Sequence, residues 1–216
     1  MEFNKYGLSI NQIFFHDARN PDNPVVFDAF LTSFNSSITA TWNEEAVYGR
    51  QDVIGTYQGT KRKISFGINA VSYNVESAKE NMEKINKLTL MLYPSYNSSQ
   101  TTITQVKPPL QANEISVSTN ALTLSKVPLV YLKFGNLIHE NGDIVLGWIN
   151  SFTANPVLDM GMFIDKAVQG FPYGNMYPKI WDISIDFTPQ HQEMIGGTKN
   201  KPEGLPDFPY DLQNRR

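Results

Sequence analysis

The chain has 216 residues, of which 41% are hydrophobic and 18% charged, so it can bury a core without a metal or disulfide staple. It contains no cysteine, which excludes disulfides, thiolate nucleophiles and cysteine metal sites, and its net charge of −3 argues against non-specific nucleic-acid binding over the whole surface. The sequence shows no secretory signal and no apolar run of roughly 20 residues, so we expect a protein made in the cytoplasm without membrane insertion.

The first predicted elements are an irregular arm and two strands. Residues 1–30 include the turn-forming cluster Asn20-Pro-Asp-Asn-Pro24 and are expected to form an N-terminal arm. Apolar and polar residues alternate from Phe34 to Trp42, which predicts a half-buried strand. A second strand follows a charged loop, and its apolar face carries Ile64, Phe66, Ile68 and Ala70.

One amphipathic helix is predicted from Ser77 to Leu92, because apolar side chains recur there at spacings of three and four. Ser77 and Glu80 have the spacing of a capping box at the start of this helix. Pro94 cannot donate a backbone hydrogen bond and disfavours helical geometry in the residue before it, so it is expected to end the helix.

The rest of the chain is predicted to form strands around one polar insertion. Residues 97–127 are rich in Ser, Thr, Asn and Gln, which predicts a long loop with at most short edge strands. Strands over 129–137 and 144–152 flank the hairpin signal Asn141-Gly142-Asp143. The second of these strands is expected to place four residues on one face: Ile144, Leu146, Trp148 and Phe152. The last strand alternates cleanly from Trp181 to Phe187.

These elements predict an α+β fold, a mostly antiparallel β sandwich or barrel with one flanking helix. The expected organisation is an N-terminal arm over 1–30, a β domain over 31–190 with the 97–127 insertion, and a C-terminal arm over 191–216. We expect the C-terminal arm to be ordered only against a neighbour.

Few residues show the pattern of a catalytic or metal site. Three histidines lie far apart in the sequence and are expected to be ordinary surface or loop residues without zinc: His16, His139 and His191. Glu44-Glu45 with Asp52, or Asp182 with Asp186, could support glycoside hydrolysis, but solvated or ion-paired carboxylates are the favoured interpretation. Phosphate-loop and nucleophile motifs are missing from the sequence, which predicts a protein that is not an enzyme and binds no cofactor.

Charged and aromatic residues around the first two strands are interpreted as groups of a subunit interface. Acidic residues next to an arginine can pair across an interface, and aromatic residues are enriched there. The candidates are Glu44, Glu45, Tyr48, Arg50, Asp52, Tyr57 and Arg62. Aromatic residues in the same loops could also form a sugar-binding platform.

Several strings spread over roughly residues 34–188 resemble tail and baseplate proteins of contractile-tailed bacteriophages. They are Trp42-Asn-Glu-Glu-x-Val-Tyr-Gly-Arg-x-Asp, Tyr57-Gln-x-Thr-x-Arg-x-Ile-Ser, Met91-Leu-Tyr-Pro-x-Tyr, Pro128-Leu-Val-Tyr-Leu-Lys-Phe-Gly-Asn-Leu-Ile and Tyr177-Pro-Lys-x-Trp. The resemblance implies a tail-tube-like fold, in which two packed β-sheets flanked by a helix assemble into rings around the tail channel.

The same resemblance implies a function and a set of partners. The chain would be a structural subunit of the virion tail, assembled in the host cytoplasm into a homo-oligomeric ring, a hexamer, that initiates the tail tube or joins it to the baseplate hub. Other tube and hub proteins would be its neighbours, and DNA would at most pass transiently through the channel. Residues 189–216 are too few for the LysM-type peptidoglycan-binding module that related proteins carry, which favours a tube initiator or hub–tube adaptor.

Two other functions stay open from the sequence. One is a neck or tail-completion protein at the opposite end of the tail, and the other is a carbohydrate-binding β-sandwich of a receptor-binding module. A tail-associated hydrolase is disfavoured because the residues show no catalytic grouping.

Overall fold

A computed structural model describes residues 12–97, 100–107, 111–118, 123–140, 144–165, 174–192, 194–199, 204 and 208–210. Within these ranges the chain is mostly antiparallel β structure with one α-helix, which confirms the predicted fold class. None of the helices described here is long and apolar enough to span a membrane.

Six of the described strands form a closed barrel in the order β1, β2, β3, β12, β9, β8. Their bounds are β1 Gln12–Asp17, β2 Asn20–Glu45, β3 Ile54–Val71, β8 Val130–Phe134, β9 Val145–Pro156 and β12 Ile180–Pro189. All neighbouring pairs are antiparallel, and β1 pairs with β8 to close the barrel. A closed barrel leaves no free sheet edge along these paired segments.

The barrel core confirms the two clearest predicted alternations. Strand β3 buries Ile64, Phe66, Ile68 and Ala70, and β12 buries Ile183, Ile185 and Phe187, each at most 1% exposed. The two strands pair directly, with Ile183 opposite Ile68 and Ile185 opposite Phe66. Alternating apolar side chains therefore meet on the inner face, as period-two patterning requires.

The prediction of an irregular arm over 1–30 is wrong for residues 12–30. Strand β1 buries Ile13 and Phe15, and the first part of β2 buries Val25 and Phe27. Phe15 and Phe27 meet edge to face, with ring centroids 6.2 Å apart. The proline-rich start of β2 is compatible with this pairing because Pro is tolerated near the beginning of a strand. Residues 1–11 lie outside the described part of the chain.

The predicted helix is present as α1, Val75–Met91, but its cap differs from the prediction. Asn74 is the N-cap, and its side chain accepts a hydrogen bond of 2.6 Å from the backbone N–H of Ser77. The capping box therefore joins Asn74 and Ser77, not Ser77 and Glu80. The helix ends before Pro94 and packs through Ala78, Ile85, Leu88 and Met91.

Strand β9 does not keep the predicted residues Leu146, Trp148 and Phe152 on one face. Val145 is fully buried, whereas Trp148 is 41% exposed. The register against β12 shifts between Asp186 and Phe187, so that Asn150 is an extra residue and Phe152 packs against the core. This bulge reverses the alternation within the strand. Leu146 and Trp148 therefore share the outward face before the bulge, whereas Phe152 lies on the inward face after it, and the prediction of one shared face is wrong.

Three two-stranded ribbons lie outside the barrel in the described ranges. Their strands are β4 Ser95–Asn97 with β7 Thr123–Lys126, β5 Gln100–Lys107 with β6 Gln111–Ser118, and β10 Met162–Asp165 with β11 Asn175–Pro178. The 97–127 insertion thus contains a regular hairpin of eight-residue strands where a loop was predicted. The hairpin signal at 141–143 lies outside the described residues.

Candidate interaction surface

Strands β2 and β3 continue together well beyond the barrel as a long hairpin. They stay paired from Phe34 opposite Phe66 out to Glu45 opposite Ile54. The outer part of this hairpin has a more apolar face, which carries Ile38, Trp42 and Tyr57 beside the polar Thr60 and Arg62, and a second face that is mostly polar. Directly opposite residues of an antiparallel pair point to the same side, so the register defines both faces.

The apolar face continues the inner face of the barrel into solvent. Ile38, Trp42 and Tyr57 lie on it and are 49%, 56% and 53% exposed, and we call these three residues the hairpin surface. A register shift between Thr41 and Trp42 places Trp42 opposite Tyr57, and their rings meet edge to face at 5.2 Å. An aromatic pair of this kind pre-forms an apolar face that can be buried with little further ordering.

The other face of the hairpin is polar. It carries the pairs Asn35 with Ser65, Ser37 with Lys63, and Thr39 with Lys61. A sheet normally buries its apolar face and leaves its polar face in water. The exposed apolar side chains of this hairpin are therefore candidates for contact with another molecule.

Six of the seven predicted interface residues lie on this hairpin and are exposed: Glu44, Glu45, Tyr48, Arg50, Asp52 and Tyr57. Tyr48 and Arg50 belong to the apex turn, in which Arg50 N–H donates to the carbonyl of Val47 at 3.1 Å and Gly49 has a φ of +82°. That positive φ favours glycine at the turn. The hairpin thus brings the six candidates to one projecting end of the molecule.

Arg62 differs from the other six because it is buried, at 4% exposure. Its Nε donates to Ser36 Oγ at 3.1 Å, and its guanidinium carbon lies 5.1 Å from the Phe208 ring centroid. Neither terminal nitrogen has a hydrogen-bond partner in the described part of the chain. Burial lowers the pKa of Arg62, while Tyr210 and Glu140 act in the opposite direction. Arg62 is therefore not exposed in the single chain, and its predicted role at a subunit interface stays a prediction.

Phe208 belongs to the predicted C-terminal arm, so this arm contacts its own barrel. The Phe208 ring also meets His191 edge to face at 5.3 Å. His191 Nδ1 lies 3.6 Å from Glu140 Oε1, which also accepts a 2.9 Å hydrogen bond from the backbone N–H of Gln192. Burial lowers the pKa of His191, and Arg62 adds to this while Glu140 opposes it.

The alternation of residues along β3 could have predicted that the Arg62 side chain points inward. Arg62 has the same parity as Ile64, Phe66 and Ile68, whose side chains all point inward. A basic residue two positions before a buried row lies on the same face as that row. In the basic run Lys61-Arg-Lys63, Arg62 lies on the opposite strand face from the two lysines. Grouping the three residues as one basic run therefore hid the inward direction of Arg62.

The other candidate sites of the sequence are not brought together. Asp182 is exposed on β12, and Asp186 forms a 3.3 Å ion pair with Lys63. A hydrogen bond from Ser65 and the charge of Lys63 lower the pKa of Asp186. His16 and His139 are both buried, but His139 lies in the loop after β8, so the expectation of surface or loop histidines is wrong only for His16, within β1. The described residues contain no cluster of three or more His, Asp or Glu that could hold a metal ion.

A half-open cleft of about 270 Å³ lies between the β1–β2 turn and helix α1. It is lined by Asp17, Arg19, Asn20, Asn23, Pro24, Val25, Lys87, Leu90 and Met91. Arg19 is already engaged, since its Nη2 pairs with Asp17 at 2.7 Å and its Nη1 donates to the carbonyl of Tyr93 at 2.6 Å. The described lining holds no aromatic side chain on which a sugar ring could stack.

No family model matches the sequence, and a search of curated proteins returns no match.

Proposed function

We propose that this chain is a structural subunit of a contractile phage tail, forming a ring that initiates the tail tube or joins it to the baseplate hub. The observation that carries the proposal is the hairpin surface, which a single copy leaves open to water. Ile38, Trp42 and Tyr57 extend the apolar inner face of the barrel beyond the barrel itself. Contiguous exposed apolar residues of this kind mark interaction sites.

The barrel supports the same proposal. A mostly antiparallel β fold with one packed helix is common to this chain and to the tail-tube-like architecture that the sequence strings imply. The function of such a subunit is to assemble, because head-to-tail contacts between identical copies form a ring when the rotation from one copy to the next closes. Acidic residues at the hairpin apex, Glu44, Glu45 and Asp52, would then help to orient the contact.

Two experiments test the proposal at different scales. Negative-stain images of the purified chain should show closed rings, and a cryo-EM map of the tailed particle should place the chain between tube and hub. A chain that stays monomeric at every concentration, or that lies at the neck of the particle, contradicts the proposal.

A carbohydrate-binding module is the second candidate, because Trp42, Tyr48 and Tyr57 expose aromatic rings near one end of the molecule. Such rings stack on sugars as readily as on a protein partner. Glycan-array binding by the monomeric chain, lost in Trp42→Ser, would favour this candidate over ring assembly.

A further inference from the structure

Arg62 places a positive charge inside the molecule, and its terminal nitrogens have no acceptor among the described residues. The residue lies on the inward face of β3 and is 4% exposed. Its Nε donates to Ser36 Oγ at 3.1 Å, but Nη1 and Nη2 are closed to water and make no hydrogen bond in the described part of the chain. Four of the five N–H donors of the guanidinium therefore lose their hydration without gaining an acceptor, which is costly for a charged group.

The groups around the guanidinium provide a ring contact and charge, but they do not satisfy these donors. The Phe208 ring centroid lies 5.1 Å from the guanidinium carbon. Burial lowers the pKa of Arg62, and Tyr210 and Glu140 oppose this without accepting a hydrogen bond from either terminal nitrogen. Glu140 is already engaged, because its Oε1 accepts a backbone N–H and lies 3.6 Å from His191 Nδ1. The acceptor that Arg62 lacks therefore has to come from another molecule.

The two terminal nitrogens favour a carboxylate as that acceptor. Nη1 and Nη2 lie side by side in the planar guanidinium, and this fork matches the two oxygens of a carboxylate. A phosphate also fits such a fork, but it carries up to two negative charges, so the nearby Glu140 repels it more strongly. A small carboxylate with one negative charge is thus the anion that this cluster accepts best.

We propose that Arg62 is the binding group of a carboxylate site between β3 and the C-terminal segment at Phe208. The carboxylate accepts hydrogen bonds from Nη1 and Nη2 while Nε keeps its bond to Ser36. Because both nitrogens are closed to water, the Phe208 ring has to move aside before a ligand reaches them. The site uses groups of a single chain, so it does not depend on the assembly proposed above.

His191 couples this site to pH. Its Nδ1 lies 3.6 Å from Glu140 Oε1, and its ring meets the Phe208 ring with centroids 5.3 Å apart. Burial lowers the pKa of His191 and Arg62 lowers it further, while Glu140 opposes both, so the imidazole is mostly neutral at pH 7 without ligand. A carboxylate bound to Arg62 adds a negative charge to the cluster and raises the pKa of His191. Binding therefore takes up a proton, and affinity rises as the pH falls from about 8 to about 6.

Thermal unfolding of the full chain with sodium acetate tests the site, because a ligand that binds only the folded state raises the melting temperature. Sodium chloride keeps the ionic strength constant, and acetamide is the uncharged control for the probe. Arg62→Met removes the fork and should fold, since it replaces an uncompensated buried charge with an apolar chain. Arg62→Lys keeps a charge without the fork. Lys61→Met is the matched control, because Lys61 is exposed on the opposite face of β3.

Acetate should raise the melting temperature of the wild-type chain and of Lys61→Met, more at about pH 6 than at about pH 8. Acetamide should have no effect on these chains, and acetate should have none on Arg62→Met. Arg62→Lys should bind acetate roughly tenfold more weakly than the wild-type chain. His191→Asn should still bind acetate, with an affinity that no longer changes between the two pH values.

A blocked Gly-Asp-Gly peptide, compared with Gly-Asn-Gly, distinguishes the source of the carboxylate. Stabilisation by acetate assigns a free small carboxylate, and stabilisation by the aspartate peptide alone assigns the carboxylate of a protein partner. If neither probe stabilises the wild-type chain, or if Arg62→Met or Arg62→Lys responds as strongly as the wild-type chain, the inference is overturned. Sedimentation of the same chains reports the proposed assembly separately, so failure of one proposal is distinguishable from failure of the other.

Discussion

Gly147 lies on the inward face of β9, where the structure leaves no room for a side chain. A Cβ added to this glycine would lie 2.5 Å from Cζ of Phe187 and would also meet the carbonyl oxygen of Thr188. Phe187 is fully buried, so its ring cannot swing away. We predict that Gly147→Ala destabilises the fold by overpacking the barrel.

The size of the effect follows from two opposing contributions. Overpacking a well-filled core costs about 1–3 kcal/mol, while Gly→Ala restricts the unfolded chain and contributes about 0.4–1 kcal/mol of stability. Taking the middle of each range, the net expectation for Gly147→Ala is a loss of about 1.3 kcal/mol in the free energy of unfolding.

Gly55→Ala is the matched control, because a Cβ there meets Trp42 Cε3 at 3.5 Å, an ordinary contact. It should leave stability unchanged or raise it by up to about 1 kcal/mol. Urea unfolding followed by fluorescence measures both variants. If Gly147→Ala is as stable as the wild-type chain, β9 does not approach β12 as described and the bulge at Asn150 is misplaced.

Two further predictions concern the helix cap and the C-terminal contact. Asn74→Ala removes the acceptor for the Ser77 N–H and should lower the free energy of unfolding by about 1 kcal/mol. Asn74→Ser keeps a side-chain acceptor and should retain most of the wild-type stability. Equal stability of all three chains would show that the cap contributes nothing. Burial lowers the pKa of His191, so stability should fall as the pH drops from the ordinary value of 6.5 towards the lowered one and stay level above 6.5. His191→Asn should flatten this part of the pH profile, and an unchanged profile would exclude His191 as its source.

The regular strands of the barrel could be predicted because each has one apolar face. β12 alternates apolar and polar residues without interruption from Trp181 to Phe187, and β3 does so from Ile64 to Ala70. This alternation determines which face of each strand is buried. The helix was equally clear, since its apolar stripe and Pro94 set its length. The Ser77 cap was misplaced because Asn74 is an equally good acceptor one turn earlier.

The misses came from features that a local pattern does not contain. Trp148 and Phe152 were expected to share a face because nothing in the sequence marks Asn150 as a bulge, which arises from the pairing with β12. Residues 12–30 were assigned to an arm because prolines near Val25 obscured a strand stabilised by barrel closure. The six exposed interface candidates lie together at the end of the β2–β3 hairpin, and their interface role stays a prediction. Their apolar neighbours Ile38 and Trp42 were expected to be half-buried, since only the fold shows that the hairpin extends beyond the barrel.

Sedimentation velocity of the wild-type chain beside the double variant Trp42→Ser, Tyr57→Ser tests most directly whether the hairpin surface drives assembly. Tyr93→Ser, which changes an exposed tyrosine elsewhere, serves as the control. The wild-type chain and the control should sediment as a ring-sized species, and the double variant should sediment as a folded monomer with unchanged circular dichroism. A double variant that assembles like the wild-type chain, or a wild-type chain that stays monomeric throughout, would contradict the account.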